Sequence, residues 1–252
     1  MIIIKTKQEI EYMKKAGELL AEVHREIAKM IRPGISTMEI DKFVEEYLIE
    51  RGAYPEQKGY QGYPYAICAS INDEICHGFP RKEPLRDGDI VTIDMVVNLD
   101  GWLADSAWTY AVGNISDKAK KLLDVTKESL YRGIEKAVIG NRLGDIGHAI
   151  QSFVEAEGFS VVRDFVGHGI GKKMHEDPQV LHYGVPGRGI RLMEGMVITI
   201  EPMINEGTYH MKMDDNGWTA RTVDGKLSAQ YEHTIAITKD GPIILTDQGD
   251  DK

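Results

Sequence analysis

The stretch Ile90-Val-Thr-Ile-Asp-Met-Val-Val-Asn-Leu-Asp-Gly-Trp-Leu-Ala-Asp-Ser-Ala-Trp-Thr-Tyr-Ala-Val112 decides the fold. Ile90 to Val97 is an apolar run typical of a strand that is buried on both faces. Trp102 to Val112 has the pattern of a second strand, and Asp100-Gly101 between them is a signal for a two-residue hairpin turn. The stretch therefore predicts an antiparallel β-hairpin.

This hairpin brings two carboxylates to one face. If Asp100 and Gly101 are the turn residues, Asp105 lies opposite Val96, which shares a face with Asp94 because side chains alternate along a strand. Asp94 and Asp105 are then diagonal neighbours, with backbone positions about 7–8 Å apart. Two carboxylates that converge in a buried site repel each other, and a divalent cation removes that repulsion.

The sequence then partly repeats itself. Gly34, Ile40, Val44 and Gly52 in the first half correspond to Gly140, Ile146, Ile150 and Gly158 in the second. The strand motif Gly88-Asp-Ile-Val-Thr-Ile-Asp94 recurs as Gly195-Met-Val-Ile-Thr-Ile-Glu201 at nearly the same spacing. The repeat predicts an α+β fold in which two pseudo-twofold-related helix-and-hairpin halves, about 1–113 and 114–252, surround a central antiparallel sheet. We expect them to form one domain, 1–252.

Helices open each half. An apolar face runs over 9–31, and Ser36 and Glu39 have capping-box spacing at the start of a second helix that ends at Gly52. Helices are predicted over 117–138 and 144–157. Residues 54–70 are rich in Gly, Tyr and Pro, which predicts a loop.

The second half repeats the carboxylates. Glu201 follows an apolar run, and Glu232 lies in the strand pattern of Ala229 to Ile237. Pseudo-symmetry would bring Asp94 and Glu201 to equivalent positions, so that two carboxylates from each half meet. His168 lies in Gly167-His-Gly-Ile-Gly171, where the glycines indicate a close backbone approach.

A mixed set of Asp, Glu and His favours first-row transition ions, with carboxylates able to bridge two of them. The alternative for a single buried Asp in a strand is a hydrogen-bonded structural role, and the recurrence of the pattern in both halves favours the metal site. Nucleophilic catalysis is disfavoured, because Cys76 and His77 are sequence neighbours and Ser106 lacks a nucleophile-elbow motif.

Composition excludes several classes of protein. The 252 residues include 30 Lys and Arg and 40 Asp and Glu, a net charge of -10 that disfavours DNA and RNA binding. No apolar run reaches the roughly 20 residues that cross a bilayer, and the N-terminus lacks a signal-peptide pattern. Two cysteines make no disulfide framework. We expect a cytoplasmic enzyme.

Seven motifs along the chain resemble type I methionine aminopeptidases. They are Ser70 to Pro80, Ile93-Asp94, Ala104-Asp105-Ser106, Gly167 to Gly171, Met174 to Pro178, Thr199 to Met203 and Ser228 to Thr234. The resemblance covers essentially the whole chain. It implies the pita-bread fold of two pseudo-symmetric halves, which agrees with the repeat.

The resemblance also implies site roles. Asp94 resembles the ligand of one metal, Asp105 and Glu232 the two bridging carboxylates, and His168 and Glu201 the ligands of the other metal. A water or hydroxide between the ions would attack the scissile carbonyl, with Glu201 as proton acceptor.

Other positions resemble residues that contact substrate. His77 and His175 look like the two catalytic histidines that contact the peptide without binding metal. The positions around the methionine side-chain pocket are Tyr60, Tyr63, Cys68 and Trp218. Gln57 and Met174 stand where several relatives have Cys and Phe.

The implied activity is metal-dependent removal of the N-terminal methionine from nascent proteins and peptides with a small second residue. Two divalent ions are implied, and Mn, Fe(II), Co and Zn all suit such ligands. A monomer is expected, with transient ribosome association and no DNA or membrane partner. The alternatives are a proline-specific aminopeptidase or creatinase-type hydrolase, and a binding protein of this fold that has lost catalysis. All five positions that the resemblance assigns to metal ligands carry residues able to bind a metal, which disfavours the protein that has lost catalysis.

Overall fold

The computed structural model describes residues 1–249, so the last three positions of the predicted second half lie outside the described residues. The helices are α1 Lys7–Met30, α2 Thr37–Glu50, α3 Asp117–Glu135 and α4 Leu143–Ala156. The strands are β1 Ala53–Pro55, β2 Cys68–Ile71, β3 Glu74–Cys76, β4 Ile90–Leu99, β5 Trp102–Ala111, β6 Ser160–Val161, β7 Gly167–Gly169, β8 Glu176–Val180, β9 Val197–Ile200, β10 Met203–Asn205, β11 Met211–Met213, β12 Ala220–Thr222, β13 Ser228–Gln230, β14 His233–Thr238 and β15 Gly241–Ile244.

Local signals set the helix ends. The predicted capping box at α2 is confirmed, because the Ser36 hydroxyl accepts from the backbone N–H of Glu39 and the Glu39 carboxylate accepts from that of Ser36. These bonds satisfy N–H groups that lack partners inside the helix. α3 ends at Glu135, short of the predicted 138, because the chain turns there toward Gly140, whose φ is 96°.

The predicted hairpin of the first half is confirmed in register. β4 pairs with β5 along its full length, with Leu99 opposite Trp102 and Val96 opposite Asp105. Asp100 and Gly101 have φ of 53° and 88°, the positive values that a type I′ turn requires. β1 and β2 pair with the other edge of β4. α1 and α2 cover this sheet and enclose an apolar cluster built from residues between Ala16 and Val112.

The predicted loop over 54–70 is wrong in part. β1, a short 3-10 helix over Tyr60–Gly62 and β2 lie in or at the edges of this segment. β2 forms because Cys68 and its neighbours pair with residues 91–94 of β4 and are buried there. A long-range backbone partner, rather than local propensity, makes this strand.

The second half has its own antiparallel sheet, in the order β15-β14-β9-β7-β8. α3 and α4 enclose a second apolar cluster, most of it beyond Ala119. The expected hairpin is wrong in one respect: β9 and β14 pair as antiparallel neighbours, but the intervening chain builds β10 to β13 in two small sheets. The predicted strand over 229–237 is also interrupted at Tyr231 and Glu232.

The two halves meet along a seam, which consists of residues 105–109 of β5 and residues 230–234. At its centre the Glu232 backbone N–H donates to the Ala107 carbonyl over 2.8 Å. The interruption before β14 therefore has a cause, because Glu232 makes its backbone bond to the first half. Within residues 1–249, the helices lack the combination of length and apolar character that a membrane span needs.

Candidate metal centre

Four side chains of types that can bind a metal ion converge on the seam. They are Asp105, His168, Glu201 and Glu232, whose ligand atoms all lie within 4.8 Å of one another. Asp105 lies on β5, His168 on β7, Glu201 directly after β9 and Glu232 directly before β14. Three strands of the second half and one of the first half therefore build one cluster.

Asp94 lies beside this cluster. It is on β4, and its carboxyl interacts with those of Asp105 and Glu232. The observed register places Ala107 opposite Asp94 and Asp105 opposite Val96, which is the diagonal arrangement predicted from the turn. The structure thus brings all five sequence-predicted ligand residues together.

Glycines flank His168 because two backbones approach it. A Cβ on Gly167 would collide with the Thr199 carbonyl, and a Cβ on Gly169 would collide with the Asp177 carbonyl. The segment is a strand that pairs with β8 and β9. The His168 Nδ1 lies 2.9 Å from the Gly169 carbonyl, and its Nε2 lies 3.4 Å from carboxylate oxygens of Asp105 and Glu201.

Three carboxylate oxygens of this cluster have no hydrogen-bond partner among the described residues. Among the described residues, Asp105 Oδ1 and both carboxylate oxygens of Glu232 are buried without a hydrogen-bond partner. Glu232 is 0% exposed. Buried carboxylates without partners are strongly unfavourable unless a proton or a cation compensates them. A set of oxygen and imidazole donors with unused oxygens fits a divalent first-row transition ion.

The pKa values of these residues also show that ionised carboxylates are unfavourable in this buried cluster. Burial, followed by the charges of neighbouring carboxylates, raises the pKa of Asp94 and of Glu232 well above the ordinary range. Burial also raises the pKa of Glu201. Burial alone would lower the pKa of His168, but the hydrogen bond with Asp105 and the charges of Glu201 and Asp105 raise it to about 9. The pKa of Asp105 is lowered instead, because its burial is outweighed by the hydrogen bond and charge of His168, so without a cation Asp105 keeps its charge while Asp94 and Glu232 tend to hold protons.

The cluster lies at the end of a cavity of about 250 Å³. The lining residues are Gln57, Tyr60, Gln61, Tyr63, Cys68, His77, Asp94, Val96, Asp105, His168, Met174, His175, Glu201 and Trp218. Every site residue predicted from the sequence lines this cavity except Glu232, which is buried beside Asp105, His168 and Glu201.

Aromatic rings form one wall of the cavity. Tyr63 packs edge-on against Trp218, with ring centroids 5.1 Å apart, and its hydroxyl donates to the Ile67 carbonyl over 2.7 Å. Trp218 follows the turn between β11 and β12, and its backbone N–H donates to the Asn216 side chain. Two rings are thus fixed from different halves of the chain.

Two histidines face the same cavity. His77 has a φ of 58° and packs edge-on against Phe165, and burial lowers its pKa. His175 Nδ1 lies 3.0 Å from the Tyr60 hydroxyl, and partial burial followed by the His168 charge lowers its pKa. Both rings are therefore neutral near pH 7 and can exchange hydrogen bonds with a bound peptide.

Sequence reasoning missed several contacts around the ligands. The Gln57 amide donates to the Asp94 carbonyl over 3.3 Å and approaches the Cys68 sulfur at 3.6 Å. His182 Nε2 accepts from the Glu201 backbone N–H over 3.0 Å. Thr199 lies two residues before Glu201 and therefore points to the same side of the strand. This spacing was the signal in the sequence that the two side chains could meet.

Comparisons with known proteins agree with this geometry. The profile of Metallopeptidase family M24 matches residues 11–239. A methionine aminopeptidase of Clostridium perfringens strain 13 is 54% identical over 98% of this chain and 99% of its own. The crystal structure of methionine aminopeptidase from Rickettsia prowazekii matches with a TM-score of 0.97 at 45% identity, covering 98% of this chain and 100% of that one. Prolidase from Pyrococcus furiosus matches with a TM-score of 0.80 at 25% identity, covering 97% and 65%.

Proposed function

The chain belongs to Metallopeptidase family M24, and we propose that it removes the N-terminal methionine from nascent proteins and peptides whose second residue is small. The observation that carries this proposal is the convergence of Asp105, His168, Glu201 and Glu232 at the end of a cavity large enough for one side chain. The similarity of the chain, in sequence and in its pita-bread fold, to relatives named methionine aminopeptidase supports the same proposal.

We propose that two divalent ions bind here. Asp94 would bind one ion, His168 and Glu201 the other, and Asp105 and Glu232 would bridge both. Asp105 Oδ1 and both carboxylate oxygens of Glu232 are buried without hydrogen-bond partners and are therefore available to ions, which supports the bridging assignment. The bound ions would polarise the scissile carbonyl and lower the pKa of water. Mn, Fe(II), Co and Zn all suit this ligand set.

Side chains of the protein would handle the proton and the peptide. Glu201 is the candidate proton acceptor, because burial already raises its pKa toward the working pH of an enzyme. Neutral His77 and His175 would orient the peptide at the bond to be cut. The Tyr60 hydroxyl engages His175 Nδ1 and so leaves Nε2 for the substrate.

The cavity wall supports methionine as the first residue. A long, unbranched thioether side chain gains contacts with Tyr63, Trp218 and Cys68, and sulfur–aromatic contacts contribute about 0.3–1.5 kcal/mol each. Tyr60 and Met174 complete the wall. A narrow space beyond the scissile bond would restrict the second residue to Gly, Ala or Ser.

The remaining proposals concern the setting of the enzyme. We infer a monomer that works in the cytoplasm on nascent chains, with transient ribosome contact and without DNA or membrane partners. The net charge of -10 supports the exclusion of DNA.

The test compares two peptides on protein reconstituted with each metal under anaerobic conditions. We expect release of methionine from Met-Ala-Ser, no release of proline from a peptide that begins with proline, and loss of activity with a chelator. Release of proline in preference to methionine would contradict the proposed specificity for methionine. Metal binding without release from either peptide would refute the proposed activity.

A further inference from the structure

Two buried threonines lie on the strands next to the proposed metal ligands, each two residues from a glutamate of the cluster. Thr199 on β9 and Thr234 on β14 are direct cross-strand partners, and both are 0% exposed. Because side chains alternate along a strand, Thr199 points to the same side as Glu201, and Thr234 continues the row that starts at Glu232. The two threonines are therefore neighbours on the strand face that carries Glu201 and Glu232.

The Thr199 hydroxyl connects two ligands. It accepts the backbone N–H of His168 over 3.0 Å and donates to Glu201 Oε2 over 2.6 Å. The direction of both bonds is settled, because a backbone N–H can only donate and the hydroxyl then has its single proton left for the carboxylate. One hydroxyl thus positions the main chain of one ligand and the carboxylate of another.

The Thr234 hydroxyl holds a third ligand. It accepts the backbone N–H of Asp105 over 3.0 Å and donates to the carbonyl of the same residue over 2.7 Å. A residue that exchanges both backbone bonds with one partner is the normal rung of an antiparallel ladder. Here a side-chain hydroxyl replaces the partner backbone, so Thr234 sets how far Asp105 lies from β14.

Thr109 makes the equivalent contact in the opposite direction across the seam. Its hydroxyl accepts the backbone N–H of Gln230 over 3.0 Å and donates to the Gln230 carbonyl over 2.7 Å. It lies on β5, opposite Thr92, whose hydroxyl is 2.8 Å away. Thr109 therefore has the same chemistry as Thr234 and is also buried, but the residue whose backbone it holds is not one of the proposed ligands. The Gln230 side chain touches that group only through the main chain, since its amide donates to the Glu201 carbonyl over 3.3 Å.

We propose that Thr199 and Thr234 are positioning residues of the metal centre, which between them fix Asp105, His168 and Glu201 on three different strands. The effect on turnover rests on the proposed function, whereas the effect on metal affinity does not. Valine has nearly the same shape as threonine but lacks the hydroxyl. It would leave the N–H groups of Asp105 or His168 buried without partners, so the backbone would shift to satisfy them.

The experiment measures three properties of each variant. Thr199→Val, Thr234→Val, the matched control Thr109→Val and the serine replacements Thr199→Ser and Thr234→Ser are prepared as the full chain. Mn²⁺ affinity is measured by calorimetry on chelator-treated protein, kcat and KM on Met-Ala-Ser, and melting temperature without metal.

Partners that orient metal ligands typically cost 10–100-fold in metal affinity or activity when they are removed. We expect Thr199→Val and Thr234→Val to lose Mn²⁺ affinity and kcat by roughly that factor, with KM little changed. The serine variants should recover both properties. Thr109→Val should lower the melting temperature about as much as Thr234→Val does, yet retain Mn²⁺ affinity and kcat.

Three outcomes overturn the inference. Thr199→Val and Thr234→Val could retain Mn²⁺ affinity, serine could fail to rescue, or Thr109→Val could lose affinity equally. If Thr234→Val does not fold, Thr199→Val decides alone, since its hydroxyl does not cross the seam. A wild-type chain that binds Mn²⁺ but does not cleave Met-Ala-Ser refutes the proposed function and leaves this inference to the affinity measurement.

Discussion

Replacing Glu232 by Gln should stabilise the metal-free protein at alkaline pH and destabilise the metal-bound protein. Glu232 is fully buried, and neither of its carboxylate oxygens has a hydrogen-bond partner among the described residues. Without a cation, its ionised form is opposed by the neighbouring carboxylates. Gln preserves the shape of the side chain and removes the charge.

The size of the effect follows from the spacing of the cluster. Two unit charges 4.8 Å apart interact by about 3.5 kcal/mol at an effective dielectric constant of about 20. Burial raises the pKa of Asp94 well above its ordinary value, so Asp94 is taken as uncharged. Ionised Glu232 is then repelled by Asp105 and by Glu201 and attracted by protonated His168, so a net repulsion of about 3–4 kcal/mol remains. Removing it should raise the melting temperature of the metal-free protein by roughly 6–16 °C.

The stabilisation gained by replacing Glu232 with Gln depends on pH. Burial, followed by the charges of Asp105 and Glu201, raises the pKa of Glu232 well above the value of 4.5 expected in the unfolded chain. The native state therefore keeps a proton that the unfolded chain has released. The free energy of unfolding then falls as pH rises above about 4.5, and this loss is complete once the native carboxyl ionises. The Gln variant lacks this contribution, so its advantage grows from pH 4 to pH 8.

The assay is thermal unfolding at pH 5 and pH 8, in chelator and in saturating Mn²⁺. Glu74→Gln is the control, because Glu74 is also buried but carries ion pairs with Arg81 and Arg221. It should be destabilising in every buffer. If Glu232→Gln lowers the melting temperature in chelator at pH 8, the reasoning from like-charge repulsion is refuted.

The other predictions concern ligands, peptide contacts, specificity and acid stability. Asp105→Asn should abolish turnover and weaken metal binding, because we assign it to bridge two ions; unchanged stoichiometry in calorimetry would contradict the bridge. His77→Ala and His175→Ala should keep the metal but raise the barrier by ~2–4 kcal/mol, and loss of an ion in either variant would make that histidine a ligand. Trp218→Ala should lose discrimination between methionine and other first residues, tested with Met-Ala-Ser against Leu-Ala-Ser, at an unchanged melting temperature, whereas a lower melting temperature with the same ranking would mean packing alone. Burial lowers the pKa of His24 from 6.5 to about 4, so the unfolded chain takes up a proton there first and stability falls as pH drops below 6.5; urea unfolding of His24→Gln should show a weaker dependence between pH 7 and pH 5, and an equal dependence would refute the assignment.

The parts of the site that were predictable came from periodicity and turn chemistry. Asp100-Gly101 forms a two-residue turn with positive φ values, and this turn sets the register of β4 against β5. That register makes Asp94 and Asp105 diagonal neighbours on one face of the hairpin. The internal repeat then placed Glu201 and Glu232 near them. The roles of these residues as ligands stay a prediction that the experiments above address.

Other features depended on partners that local sequence does not specify. Cys68 and its neighbours become a strand only because β4 offers them a backbone edge. The break at Glu232 depends on Ala107 in the other half. Thr199 and Thr234 are ordinary strand formers by propensity, and their importance emerges only when the atoms around their hydroxyls are known.

The two halves could be supplied as two polypeptides. One apolar cluster is built from residues between Ala16 and Val112, and the other almost entirely from residues beyond Ala119, so a cut near Gly113 leaves each fragment with its own cluster. The amino-terminal fragment would carry two of the carboxylates, and the carboxy-terminal fragment would carry the histidine and the other two. Neither fragment could bind the ions fully by itself. A divalent ion would then hold the two fragments together. In a mixture of the fragments, recovered peptidase activity would show that they had associated.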